Sequence, residues 1–132
     1  MTQHYQYIRW FNQLGINDIP LVGGKNASLG EMYRELAVQD LKVPNGFAIT
    51  AEAYRYLLNQ ADAWPKLHQL LDDVDADDVS DLANKAQQAR DLVYSAPLPI
   101  DLQQEILNAF QQLQQQYSED LTVAVRSSAT AE

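Results

Sequence analysis

The sequence predicts a helix-rich α+β fold, and three observations carry that prediction. Apolar residues recur at helical spacing through most of the chain. Only three short runs favour strands. Capping and turn-forming residues stand where the patterns change.

In chain order, Ile8 to Phe11 reads as a first strand. The next helix carries Leu29, Met32, Tyr33 and Leu36 at i, i+3, i+4, i+7. Ser28-Leu29-Gly30-Glu31 at its start matches a capping box, in which hydroxyl and carboxylate satisfy the first helical N–H groups. Pro44-Asn45-Gly46 suits a tight reversal into a second strand, Phe47 to Ile49. Thr50 can cap a helix opening at Ala51, with Glu52 near its positive end and Tyr54, Leu57, Leu58 and Ala61 along it. Leu67, Leu70, Leu71 and Val74 mark another helix, and Val79, Leu82, Ala83, Ala86 and Val93 a longer one with Arg90 at the stripe's edge. The last helix starts near Pro99 and aligns Leu102, Ile106, Phe110, Leu113 and Tyr117, its glutamine-rich face turned to solvent. Leu121 to Val125 is the third strand, with Leu121, Val123 and Val125 on one face.

The 132 residues correspond to about one domain, and 46% hydrophobic content is enough for a core. A strand that ends the chain near Glu132 with nothing to cover it reads as the cut edge of a longer protein. Nine Lys and Arg against 18 Asp and Glu give a net charge of −9, a field that disfavours nucleic acid and anionic membranes. One or two local cations can still hold a nucleotide phosphate. There is no cysteine, hence no disulfide or thiolate metal site. MTQHYQYIRWF has no signal-peptide pattern, and no run approaches the ~18 apolar residues of a membrane span. A soluble cytoplasmic protein is the expectation.

Two stretches carry phosphate-binding chemistry. Gly23-Gly24-Lys25 fits neither the Walker loop nor the dinucleotide fingerprint. Yet the glycines permit positive φ and close approach, the following helix offers N–H groups and a positive dipole end, and Lys25 adds a full charge. In Val123-Ala124-Val125-Arg126-Ser127-Ser128-Ala129-Thr130, an arginine at a strand end can present its planar fork to two phosphate oxygens. Ser127, Ser128 and Thr130 add neutral donors. The plain alternative for each is a solvated cation in an ordinary turn. LDDVDADDVSD at 71–81 fails as a calcium loop: with Asp73 first, Asp78 takes the glycine position and Asn84 that of the bidentate glutamate. It reads as an inter-helix turn with Asp77 or Asp78 near the next helix start. His4 and His68 lack partners at any catalytic or metal-ligand spacing.

The order V-G-G-K-N-A-S-L-G-E-M, V-P-N-G-F-A-I-T and V-A-V-R-S-S-A-T-A-E resembles the ATP-binding domain of the pyruvate, phosphate dikinase family over Trp10 to Glu132. Its K-N-A-S-L-G and V-R-S-S-A-T-A-E forms look more like the water-using branch of that family than the phosphate-using branch, which tends toward K-G-A-N-L and V-R-S-G. The resemblance implies the first subdomain of a truncated ATP-grasp-like domain, with Lys25 and Arg126 contacting ATP phosphates and Gly23, Gly24, Ser127 and Ser128 in support. It also implies conversion of ATP, pyruvate and water to phosphoenolpyruvate, AMP and phosphate. The phosphohistidine on a swivelling domain, the pyruvate-binding barrel and the Mg2+ ligands would all follow Glu132, leaving residues 1–132 inactive alone. Two rivals stand beside it. One is an antibiotic phosphotransferase of the rifampicin type, which shares a V-R-S-S-A-T segment, and the other a non-enzymatic acidic module that binds a protein partner.

Overall fold

The computed structural model describes residues 4–131. The first three residues of the N-terminal stretch, and Glu132 at the end of the last motif, lie outside them. The fold is helix-rich α+β, with six α-helices and one two-stranded antiparallel sheet among the described residues. The chain divides into two compact units, Met1–Ala53 with Ile100–Glu132, and Tyr54–Pro99.

In the first unit, β1 (Ile8–Trp10) pairs with β2 (Phe47–Ile49), Ile8 opposite Ile49 and Trp10 opposite Phe47. The period of two sends alternate residues to opposite faces. Ile8, Trp10 and Phe47 therefore meet Ala109 and Leu113 of the last helix, α6 (Ile100–Gln116). Trp10 and Phe47 pack edge to face at 5.4 Å. Ala48 goes to the other face and joins Leu14, Val22 and Ala27. Beyond β1 the chain takes two 3-10 turns, Phe11–Gln13 and Ile16–Asp18, then α1 (Ile19–Val22) and α2 (Gly24–Val38).

Three local expectations for this unit are corrected. The helix starts at Gly24, so Ser28 is its fifth residue and forms no capping box. Gly23 turns the chain sharply enough to begin the helix there, ahead of the apolar stripe that marked it in the sequence. Glu31 instead accepts the Ile16 N–H at 3.0 Å, and Arg34 donates to the Leu14 carbonyl at 3.1 Å.

Pro44-Asn45-Gly46 makes no tight reversal. The chain reverses at Gln39–Asp40, where the Leu41 N–H bonds the Leu36 carbonyl, the Asp40 N–H bonds that of Ala37, and Asp40 adopts φ +60°. That is a Schellman-type helix end with aspartate where glycine is usual. Residues 44–46 run instead into β2, held by Asn45 N–H to Tyr117 Oη (2.6 Å) and Phe11 N–H to the Gly46 carbonyl (3.1 Å).

Leu121 to Val125 forms no strand. Among the described residues no second strand lies beside it to complete a backbone ladder, and Val125 is 92% exposed.

Helix α3 (Ala51–Gln60) starts as expected, the Ala53 N–H meeting Thr50 Oγ1 at 3.3 Å. In the second unit, Leu58 of α3 and Ala63 at the start of α4 (Ala63–Leu71) are fully buried. Helix α4 stops at Leu71, so Val74 lies in the following turn. Asp72 and Asp73 are poor continuations at the negative end of a helix dipole. Asp78 then caps α5 (Val79–Ser95), its carboxylate accepting the N–H groups of Ser80 and Asp81. The acidic run is thus the inter-helix turn that was expected. Val79 and Leu82 are exposed, and Ala86, Ala89, Leu92 and Val93 form the half-buried side of α5.

Candidate functional site

The two phosphate-type motifs lie about a hundred residues apart in sequence and meet in the first unit. Helix α1 ends at Val22, and Gly23 follows with φ +84° and ψ 165°. An L-residue rarely adopts that backbone conformation, and the surroundings also exclude a side chain. A Cβ there would lie 2.4 Å from Ser128 Oγ and 2.9 Å from the Ala129 nitrogen.

Residues 128–129 use this room to dock on the start of α2. The Ser128 hydroxyl donates to the Val22 carbonyl at 2.9 Å and accepts the Asn26 N–H at 3.3 Å. The Gly24 N–H donates to the Ala129 carbonyl at 3.1 Å. Asn26 also sends its side-chain amide to the Val22 carbonyl at 3.0 Å.

This geometry changes the donor inventory of the helix start. An α-helix leaves four N–H groups without intrahelical partners. Here the segment 128–129 takes those of Gly24 and Asn26, and the Gly23 N–H bonds the Ile19 carbonyl at 2.8 Å; the intrahelical series starts with Ala27 N–H to the Gly23 carbonyl at 3.0 Å. The Lys25 N–H is left as the first-turn donor with no partner among the described residues.

Lys25 and Arg126 are both exposed, and neither side chain makes a hydrogen bond or ion pair among the described residues. The first turn of α2 holds no acidic residue. A lysine at that positive dipole end is unfavourable by roughly 0.3–1 kcal/mol, a cost that a bound anion would reverse. Ser127 and Thr130 are exposed beside the docked pair.

Asn26 and the carbonyls of Val22 and Ala129 were not singled out in the sequence. Apart from the Asn26 side-chain amide, their part rests on main-chain atoms, which every residue carries and no residue-type signal marks.

The remaining candidates lie elsewhere. A cavity of about 300 Å³ is lined by His4, Tyr5, Arg9, Trp10, Asn45 and Gln112 among others, and by no residue of either motif. Nη1 of Arg9 there donates to the carbonyls of Tyr5, Gln6 and Ile8. His68 faces Asp72 at 3.3 Å on an exposed helix end. Among the described residues no three His, Asp or Glu side chains group to hold a metal ion, and no helix is long and apolar enough to cross a membrane.

Comparison with known proteins places this geometry in context. Residues 19–132 match the family described as pyruvate phosphate dikinase, AMP/ATP-binding domain. The phosphoenolpyruvate synthase of Helicobacter pylori is 50% identical over 128 residues, which is 96% of this chain and 16% of that protein. That of Escherichia coli K12 is 46% identical over 125 residues, 95% of this chain and again 16% of the relative. A probable phosphoenolpyruvate synthase of Methanocaldococcus jannaschii is 39% identical over 128 residues, 96% of this chain and 10% of the relative.

Proposed function

The chain belongs to the pyruvate phosphate dikinase AMP/ATP-binding domain family, and from that premise we propose that it is the N-terminal, ATP-binding portion of a phosphoenolpyruvate synthase. The whole enzyme, a pyruvate, water dikinase of the cytoplasm, converts ATP, pyruvate and water to phosphoenolpyruvate, AMP and phosphate through a phosphohistidine. Residues 1–132 form part of the first subdomain of an ATP-grasp-like domain. Lys25 and Arg126 contact the ATP phosphates, with Gly23, Gly24, Ser127 and Ser128 in support. The swivelling phosphohistidine domain, the pyruvate barrel and the Mg2+ ligands lie in later parts of the same polypeptide, and the 132 residues alone form no phosphoenolpyruvate.

The observation that carries the site assignment is the docking of Ser128 and Ala129 on the start of α2. It roots an arginine and a lysine from distant parts of the sequence in one place. Phosphoryl transfer asks a protein mainly for positioning and for charge stabilisation, which is what two such cations supply. Lys25 brings a mobile point charge and Arg126 a planar fork matched to two phosphate oxygens. The unmatched lysine at a helix N-terminus supports an anionic occupant.

In the full-length protein, Lys25→Ala and Arg126→Ala should each lower pyruvate-dependent ATP cleavage by about 100-fold or more. Turnover near that of the parent in both variants would overturn the assignment. Offering rifampicin in place of pyruvate in the same assay tests the antibiotic phosphotransferase reading.

A further inference from the structure

We infer that Ser128 is a positioning residue for ATP: its hydroxyl acts as a clasp that fixes Arg126 relative to Lys25 and does not itself bind phosphate. The inference rests on the reading of Lys25 and Arg126 as phosphate contacts and assigns a division of labour within that site.

A serine hydroxyl has one proton to donate and two lone pairs. In Ser128 the proton goes to the Val22 carbonyl at 2.9 Å and one lone pair accepts the Asn26 N–H at 3.3 Å. What remains is an acceptor, which a phosphate oxygen would repel. The neighbouring backbone completes the clasp through Gly24 N–H and the Ala129 carbonyl, 3.1 Å apart. Gly23 makes it possible, since any Cβ there would overlap Ser128 Oγ.

The consequence reaches the two cations through short lengths of chain. Arg126 lies two residues before Ser128, a span of at most about 7 Å. Lys25 sits between the two residues, Gly24 and Asn26, whose N–H groups the clasp engages. With the clasp closed, the roots of both side chains are set before ATP arrives. With it open, residues 126–129 regain freedom that binding must then remove, and ATP affinity falls. Ser127 differs: it is exposed and its hydroxyl makes no hydrogen bond among the described residues, so it stays available to a ligand.

The test is steady-state kinetics on the full-length protein, with thermal unfolding midpoints measured beside it. Ser128→Ala should raise KM for ATP by about 10-fold, the scale of leaving one hydrogen-bonded pair unmade, and leave KM for pyruvate unchanged. Ser128→Thr, which keeps the hydroxyl, should return KM for ATP to within about 3-fold of the parent. Because the clasp acts through Arg126, adding Ser128→Ala to Arg126→Ala should cost markedly less than Ser128→Ala costs alone.

Full multiplication of the two effects would make Ser128 an independent phosphate contact and overturn the inference. An unfolding midpoint lowered with KM for ATP unchanged would also overturn it, by reducing Ser128 to stability alone. If Arg126→Ala impairs ATP use while Ser128→Ala does not, the positioning role falls and the functional reading stands. If Arg126→Ala and Lys25→Ala are both silent, the functional reading falls and takes the inference with it.

Discussion

Gly30 of α2 lies directly against the backbone of Leu14: a methyl group added at Gly30 would sit 2.5 Å from Leu14 Cβ and 2.8 Å from its carbonyl oxygen. Glycine inside a helix ordinarily costs about 1 kcal/mol relative to alanine. Here the close approach explains its presence, because Leu14 is fully buried and belongs to the core shared by Val22, Ala27 and Ala48.

Gly30→Ala is therefore expected to destabilise the protein by about 1–3 kcal/mol, overpacking outweighing the gain in helix propensity. Denaturant unfolding of the variant measures the balance. A rise in stability would show that the backbone of Leu14 yields easily.

Thr50 is 2% exposed, and its hydroxyl oxygen accepts the Ala53 N–H at the start of α3. Thr50→Val keeps the shape and removes the cap, so it should cost about 1 kcal/mol in the same experiment. An unchanged midpoint would mean that the hydroxyl does not contribute there.

Tyr5 is buried and donates its hydroxyl to Gln112 Oε1 at 2.8 Å. Burial, and then the Glu105 carboxylate, hold its pKa above the usual phenol value. The same causes, with Asp101 and Glu52 added, raise Tyr7. A folded-state pKa above the unfolded one contributes stability that is complete below the ordinary phenol value of about 10 and is lost as pH rises through the folded value. Stability should thus fall on the alkaline side of about pH 10, and fall less steeply in Tyr5→Phe. Urea midpoints across that range, with phenolate absorbance followed in parallel, would show it; equal slopes would count against Tyr5.

Arg126→Lys keeps the charge and loses the planar fork. If the fork grips two phosphate oxygens, as proposed, lysine should recover only a small part of the pyruvate-dependent ATP cleavage that Arg126→Ala removes. Recovery to within about 3-fold of the parent would mean that charge alone suffices at this position.

Much of the fold was legible because its determinants are local. Ile8, Trp10 and Phe47 alternate as strand residues, Thr50 and Asp78 carry the oxygen that a helix start needs, and the spacing of Leu102, Ile106 and Leu113 marks a helix face. The misreadings came where two local signals competed or a distant partner decided. Ser28 and Glu31 have capping-box spacing, but the turn at Gly23 starts the helix at Gly24, ahead of Ser28, and Glu31 goes to Ile16. Val123 and Val125 alternate like strand residues, yet a strand needs a neighbour for its N–H and C=O groups, and none lies beside them among the described residues.

The sequence by itself determined the helix-rich α+β class, most of the element positions and, through its three ordered motifs, the family to which the chain belongs. Periodicity and motif order are properties of the chain, and they need no coordinates. Only the tertiary structure decided that Ser128 and Ala129 close on Val22, Gly24 and Asn26, and that Gly23 leaves them the space. Those bonds join main-chain atoms and one hydroxyl across more than a hundred residues. Main-chain groups are the same at every position, so nothing short of the folded chain says which of them meet.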